Sequence, residues 1–157
     1  MSSKFIIKAT DKRAMKIPET IAKRMAKGSR QALFFIGRDL RRTARKKILD
    51  KPKTGKIYIV RRGKRTRRHQ ASAPGEAPAN LTGKLRKSVG FKVRGSRQLE
   101  FGAGLDGVNY AGFLENGTTR MEPRPYLRPS IRENERDIKK YLRKQIGKQL
   151  TVRVFTA

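Results

Sequence analysis

Between Ile21 and Ile48 the apolar residues Ile21, Met25, Ala32, Leu33, Ile36, Leu40, Ala44 and Ile48 recur at steps of three, four or their sum, apart from the adjacent pair Ala32 and Leu33. On a helix of 3.6 residues per turn that pattern forms a single stripe, and it predicts a long amphipathic helix from Pro18 to about Leu49. Pro18 suits the first helical turn, where its missing N–H costs nothing. A stripe of this length cannot bury itself, so the rest of the chain has to supply the surface that covers it. Lys23, Lys27, Arg30, Arg38, Arg41, Arg42 and Arg45 occupy much of the remaining circumference and read as a solvated face. Gly28 and Gly37 each weaken the helix by about 1 kcal/mol relative to alanine and admit a kink. Pro52 and Gly55 end it.

The covering surface is predicted from shorter segments. KFIIKAT near the N-terminus and Lys56 to Val60 have the β-branched and aromatic content of strands. Arg61 to Arg68 holds six Lys or Arg in eight positions, and Gly63 offers a turn; a hairpin arm and a disordered tail are both compatible with it. Ala71 to Asn80 contains the turn dipeptide Pro74-Gly75 and no bulky apolar residue. Thr82 is placed to cap a short helix through Leu85 to Ser88. Val89 to Val93 and Gln98 to Gly102 form an antiparallel pair around Gly95-Ser96. Val108 to Asn116 reads as a short helix closed by Gly117 in the left-handed conformation. Thr118 to Pro129, with three prolines, is extended. A last helix spans Pro129 to Ile146, with Leu127, Ile131, Ile138 and Leu142 near one face, and Thr151 to Phe155 adds an edge strand. The order predicts an α+β fold: two amphipathic helices on a small antiparallel sheet, with residues 1–157 as one domain and 56–80 as a protruding basic loop or arm.

Charge then limits function. With 41 Lys and Arg against 12 Asp and Glu, the net charge is +29, which opposes compaction and calls for an anionic partner. Nucleic acid is the first candidate, because cations on a protein release the counter-ions condensed on phosphates. A membrane is not expected as partner, since no apolar run approaches the roughly 20 residues of a span, and MSSKFIIKATDKR lacks the apolar stretch of a secretory signal. The chain has no cysteine, which excludes disulfides and thiolate metal sites and suits a cytoplasmic origin. His69, the single histidine, reads as a neighbour of arginines rather than a ligand or base. No D-x-D, H-x-H or H-E-x-x-H pattern is present, and GAGLDG lacks the lysine and hydroxyl of a phosphate loop. No enzyme, metal or cofactor is expected. Neither a helix-turn-helix, a zinc finger nor an aromatic RNA-reading strand is apparent, so contact with nucleic acid would be to the backbone and blind to sequence.

Two segments carry more than charge: ASAPGEAPANLTGKLRKSV (Ala71 to Val89) and NYAGFLENGTTRMEPRPYLRPSI (Asn109 to Ile131). Their blocks are T-G-x-L-R-x-S (Thr82, Gly83, Leu85, Arg86, Ser88), Y-A-x-x-L-E-x-G-T (Tyr110, Ala111, Leu114, Glu115, Gly117, Thr118) and R-P-Y-L-R-P (Arg124, Pro125, Tyr126, Leu127, Arg128, Pro129). In this order they resemble the neck or tail-completion (head–tail connector) protein family of long-tailed bacteriophages, related to the minor tail protein Z group. The resemblance implies a non-enzymatic virion protein, assembled in the host cytoplasm. It implies a homo-oligomeric ring, hexameric or dodecameric, at the head–tail junction. Its neighbours would be head-closure or adaptor proteins and tail-terminator or tail-tube proteins, with double-stranded DNA in the lumen. A tail terminator of the same junction and a free, sequence-nonspecific nucleic-acid-binding protein are the alternatives. Arg61, Arg62, Lys64, Arg65, Arg67 and Arg68 are the expected DNA or partner contacts. The blocks also have a plainer account, in which Thr82 caps a helix, Gly117 ends one, and Leu85, Phe113, Leu114 and Leu127 fill the core.

Overall fold

The computed structural model describes residues 3–11, 19–50, 52–104, 108–146 and 150–156. Helix α1 runs unbroken from Glu19 to Leu49. Ala32, Leu33, Ile36, Leu40, Ala44 and Ile48 are all buried, so the stripe is the spine of the core. Pro18 and the side chains of Ile21 and Met25 lie outside the described residues. The helix continues through Gly28 and Gly37, and Gly37 has a packing role. A Cβ placed there would lie 2.3 Å from Cδ2 of Phe91, so the ring rests directly on the helix backbone.

Strands β1 (Ser3–Asp11), β4 (Gly90–Arg94), β5 (Gln98–Ala103) and β6 (Leu150–Thr156) form an antiparallel sheet in the order β4-β5-β1-β6. Along β5, Leu99, Phe101 and Ala103 are buried while Gln98 and Glu100 are half-exposed, the alternation of a sheet with one face on the core. The register sets Phe5 opposite Phe101 and Ile7 opposite Leu99, which extends the same row of positions into β1. Helix α1 crosses β4 and β5, and two further helices, α4 (Leu127–Glu133) and α5 (Glu135–Ile146), pack beside it. Leu127, Ile131, Ile138 and Leu142 close the core from that side. The α+β class and the edge position of the last strand agree with the sequence.

Three local features differ from expectation. The C-terminal helix begins at Leu127 and is interrupted at Asn134. There the Asn134 side-chain amide donates to Thr43 Oγ1 at 2.9 Å and to Ser130 O at 2.8 Å, a tie to α1 added beside the backbone bonds Asn134 N to Ser130 O and Ile138 N to Asn134 O. The short helix α2 is Lys84–Ser88, and its N-cap is Gly83, with φ 79°; the Thr82 hydroxyl only reaches Lys84 N at 3.4 Å. Helix α3 is Ala111–Asn116, three residues shorter than predicted at its start. Gly117 does follow it with positive φ, 78°, but ψ is −178°, an extended glycine-only conformation rather than the left-handed helical one.

Candidate interface at the basic hairpin

Strands β2 (Ile57–Arg62) and β3 (Arg65–Gln70) form their own two-stranded sheet, joined by a two-residue turn at Gly63-Lys64. Of the two readings of the basic run, the hairpin is the one found. The pairing Ile57 with Gln70, Ile59 with Arg68 and Arg61 with Thr66 defines one face; Tyr58 with His69 and Val60 with Arg67 define the other. Cations therefore lie on both faces. Arg61, Lys64, Arg65, Arg67 and Arg68 are exposed, Arg62 stands at the register position opposite Arg65, and the side chain of Arg62 lies outside the described residues. No acid pairs with these cations among the described residues. Ile57, Tyr58 and Ile59 are 53, 50 and 68% exposed, so the root of the hairpin presents bare apolar surface before the charge begins.

The base of the hairpin is fastened. Gly55 N donates to Ala71 O and Ala71 N to Lys56 O, continuing the ladder onto the body. The Glu76 carboxylate then accepts from Thr54 Oγ1 (2.5 Å), Thr54 N (3.1 Å) and Ala73 N (2.9 Å), bridging the two chains that enter and leave the arm. The Thr54 hydroxyl, followed by the two N–H donors, holds this carboxyl below its ordinary pKa. The protrusion consequently spans 57–70, and residues 71–80 lie along the body rather than extending the arm. Ser72 and Pro78 are buried, Gly75 N donates to Pro123 O, and Arg124 Nε donates to Ser72 O at 3.2 Å. Small side chains permit this close approach, which is how a stretch without bulky apolar residues comes to be ordered.

Those bonds bring the two sequence blocks together. Thr82, Gly83, Leu85, Tyr110, Leu114 and Arg124 line one cleft of about 470 Å³ beside His69. On the other side of His69, a second cleft of about 510 Å³ lies between the end of α1 and Arg67 and Arg68 of the hairpin. Tyr110 and Phe113 are each 44% exposed. Phe113, expected in the core, lies outside it because its helix is short and turns only Ala111, Gly112 and Glu115 inward.

Glu115 is the most consequential member of the second block. It is 1% exposed, and Oε2 accepts from Tyr126 N and Leu127 N at 2.9 Å each while Oε1 accepts from Arg128 N at 2.8 Å. The next residue, Pro129, has no N–H. The free donors that open any α-helix are thus all accounted for by one carboxylate and one imino acid. That arithmetic explains why α4 starts at Leu127 and why a glutamate and an R-P-Y-L-R-P run belong together. Arg128 Nη2 also donates to Asn116 Oδ1, Ser130 Oγ to Tyr126 O, and Ser88 Oγ to Leu85 O. Pro125 is half-buried beside them. Thr118 pairs through its backbone with Met121. Tyr126 is fully buried; its hydroxyl has no hydrogen-bond partner among the described residues, and burial first, then Glu115 and Tyr110, push its pKa upward.

Comparison with known proteins gave no match: no family model matches the sequence, and no curated protein or solved structure matches it. Among the described residues no cluster of three acids or histidines is placed to hold a metal, and no helix is long and apolar enough to cross a membrane.

Sequence reasoning singled out Glu115 and the arm cations but passed over Glu76. In a chain with 12 acids among 157 residues, an isolated glutamate in a loop between two prolines is itself a signal that it fastens something.

Proposed function

We propose that this chain is a non-enzymatic structural subunit of a tailed-bacteriophage virion, acting in a ring at the head–tail junction around the DNA channel. The observation that carries the proposal is the convergence of the resemblance-bearing blocks. Separated by about twenty residues of hairpin, they meet at one cleft at the root of a fastened, cationic arm. A hairpin with cations on both faces suits a crowded junction, where one face meets DNA phosphates and the other an acidic neighbour. Its bare apolar root, Ile57 to Ile59, suits burial against an adjacent subunit or ring.

The reading is tested in the phage whose genome encodes the chain. Disrupting the gene is expected to yield filled heads and free tails that fail to join, and mass spectrometry of purified particles is expected to find the protein in intact virions. Normal joining without the protein, together with salt-sensitive duplex binding by a monomer absent from virions, would replace this reading with that of a free nucleic-acid-binding protein.

A further inference from the structure

A second cationic feature lies away from the hairpin, where α1 crosses the junction of α2 and β4. Arg41 and Arg45 are one helical turn apart on the same face of α1. The Arg45 guanidinium donates from Nη2 to Lys87 O at 3.2 Å and to Val89 O at 3.0 Å, which brings it beside Arg86. The Arg41 guanidinium lies 5.3 Å from the centre of the Phe91 ring on β4. All three arginines are half-buried, and the Nε atoms of Arg45 and Arg86 are buried with no acceptor among the described residues. No carboxylate pairs with any of the three among the described residues. Elsewhere the chain does provide acids: Glu100 for Arg94, and Asp39 for Arg38 and Arg42. Burial, then Arg41, then Arg86 hold the Arg45 pKa below the ordinary arginine value, the signature of charge gathered without a counter-charge.

From this cluster the cationic surface continues N-terminally along α1. Lys27, Arg30 and Lys92 border a shallow groove with Phe34, Phe91 and Val93. From Lys27 to Arg45 the helix advances about 27 Å at 1.5 Å per residue, a length that spans about eight steps of a duplex at 3.4 Å each. A run of phosphates fits that length, and an isolated ion does not fill it. Guanidinium forks with free donors suit the several acceptor oxygens of a phosphate.

We propose that Arg41, Arg45 and Arg86 form a phosphate-binding site anchoring a nucleic-acid backbone along the groove between α1 and the free edge strand β4. The site is complete within one chain and stands whether or not the chain forms a ring.

The test uses the full-length purified protein and the variants Arg86→Gln and Arg41→Gln, with Arg132→Gln on the exposed surface of α4 as control. Fluorescence anisotropy with a 20-base-pair duplex, a choice that exceeds the roughly eight steps of the track, reads affinity against salt. Thermal melting with and without inorganic phosphate reads stability. Each site variant is expected to lose about eightfold in affinity near 0.1 M salt and to lower the salt slope by about one, the effect of a single phosphate contact. Arg86→Gln is also expected to melt higher than the parent at low salt, because it removes an uncompensated charge, and to lose most of the stabilisation by phosphate. The control should change neither. If Arg86→Gln melts lower and binds duplex as the parent does, Arg86 is only structural and the proposal fails. It fails equally if poly-glutamate binds as tightly as duplex and Arg86→Gln weakens both alike, which would assign the groove to an acidic protein segment.

Discussion

Glu115 concentrates at one side chain what α3 and α4 contribute to the fold. Glu115→Gln keeps the size but leaves one acceptor oxygen where two served three N–H groups. At about 1–3 kcal/mol for each orphaned buried donor, urea denaturation should record a loss of roughly 2–4 kcal/mol; a loss under about 0.5 kcal/mol would refute the capping account. Tyr126 gives the opposite expectation. Its ring fills the core while its hydroxyl is an unpaired buried group, so Tyr126→Phe should hold or raise the melting temperature, and a clear drop would mean that the hydroxyl has a partner. Gly37 balances two effects. Alanine there gains about 1 kcal/mol of helix propensity but presses on Phe91, with an overpacking cost of about 1–3 kcal/mol. A net loss in thermal stability is expected, with Arg41 displaced from the ring. The roles of Glu115 and Gly37 could not be read from sequence spacing, because each depends on residues elsewhere along the chain: Tyr126 to Arg128 for Glu115, and Phe91 for Gly37.

At the scale of elements, periodicity carried most of the information that the sequence held. The α1 stripe and the β4–β5 pair were legible because each records burial of its own face in its own residues. The break at Asn134 was not, since no proline or glycine marks it and the side chain there is tied to Thr43, far along the chain. The hairpin was half legible: the turn glycine and β-branched root were visible, but the clasp that fastens it depends on Glu76 folding back onto Thr54. Because the Glu76 carboxyl titrates below its ordinary value in the fold, the clasp contributes fully above the ordinary carboxylate range. Its contribution disappears as pH falls through the lowered folded value. Amide exchange at Thr54 and Ala73 should therefore quicken as pH falls below the ordinary carboxylate range, and Glu76→Gln should abolish that step. The arm cations are expected to act as a group. Replacing all six from Arg61 to Arg68 by glutamine should lower the salt slope of duplex binding by about five, and any single change by no more than about one. A severe assembly defect from one Arg→Lys change in the run would instead indicate a bidentate contact.

For the whole molecule, +29 on a chain of this length is the dominant constraint. Copies brought together repel over a Debye length of about 8 Å at physiological salt, so association needs apolar contact and an anion in the middle. The apolar contact has candidates in the root of the hairpin and in Tyr110 and Phe113; the anion would be the DNA that a head–tail junction surrounds. Composition alone suggested a free nucleic-acid binder, and the proposal of a connector rests on the ordered blocks that meet at one cleft. The most direct test of that distinction is electron microscopy of the purified protein at moderate salt, with and without a short duplex. Closed rings with a central lumen, favoured by duplex, are the expected result. Single copies scattered along DNA, with no ring under any condition, would contradict the connector assignment.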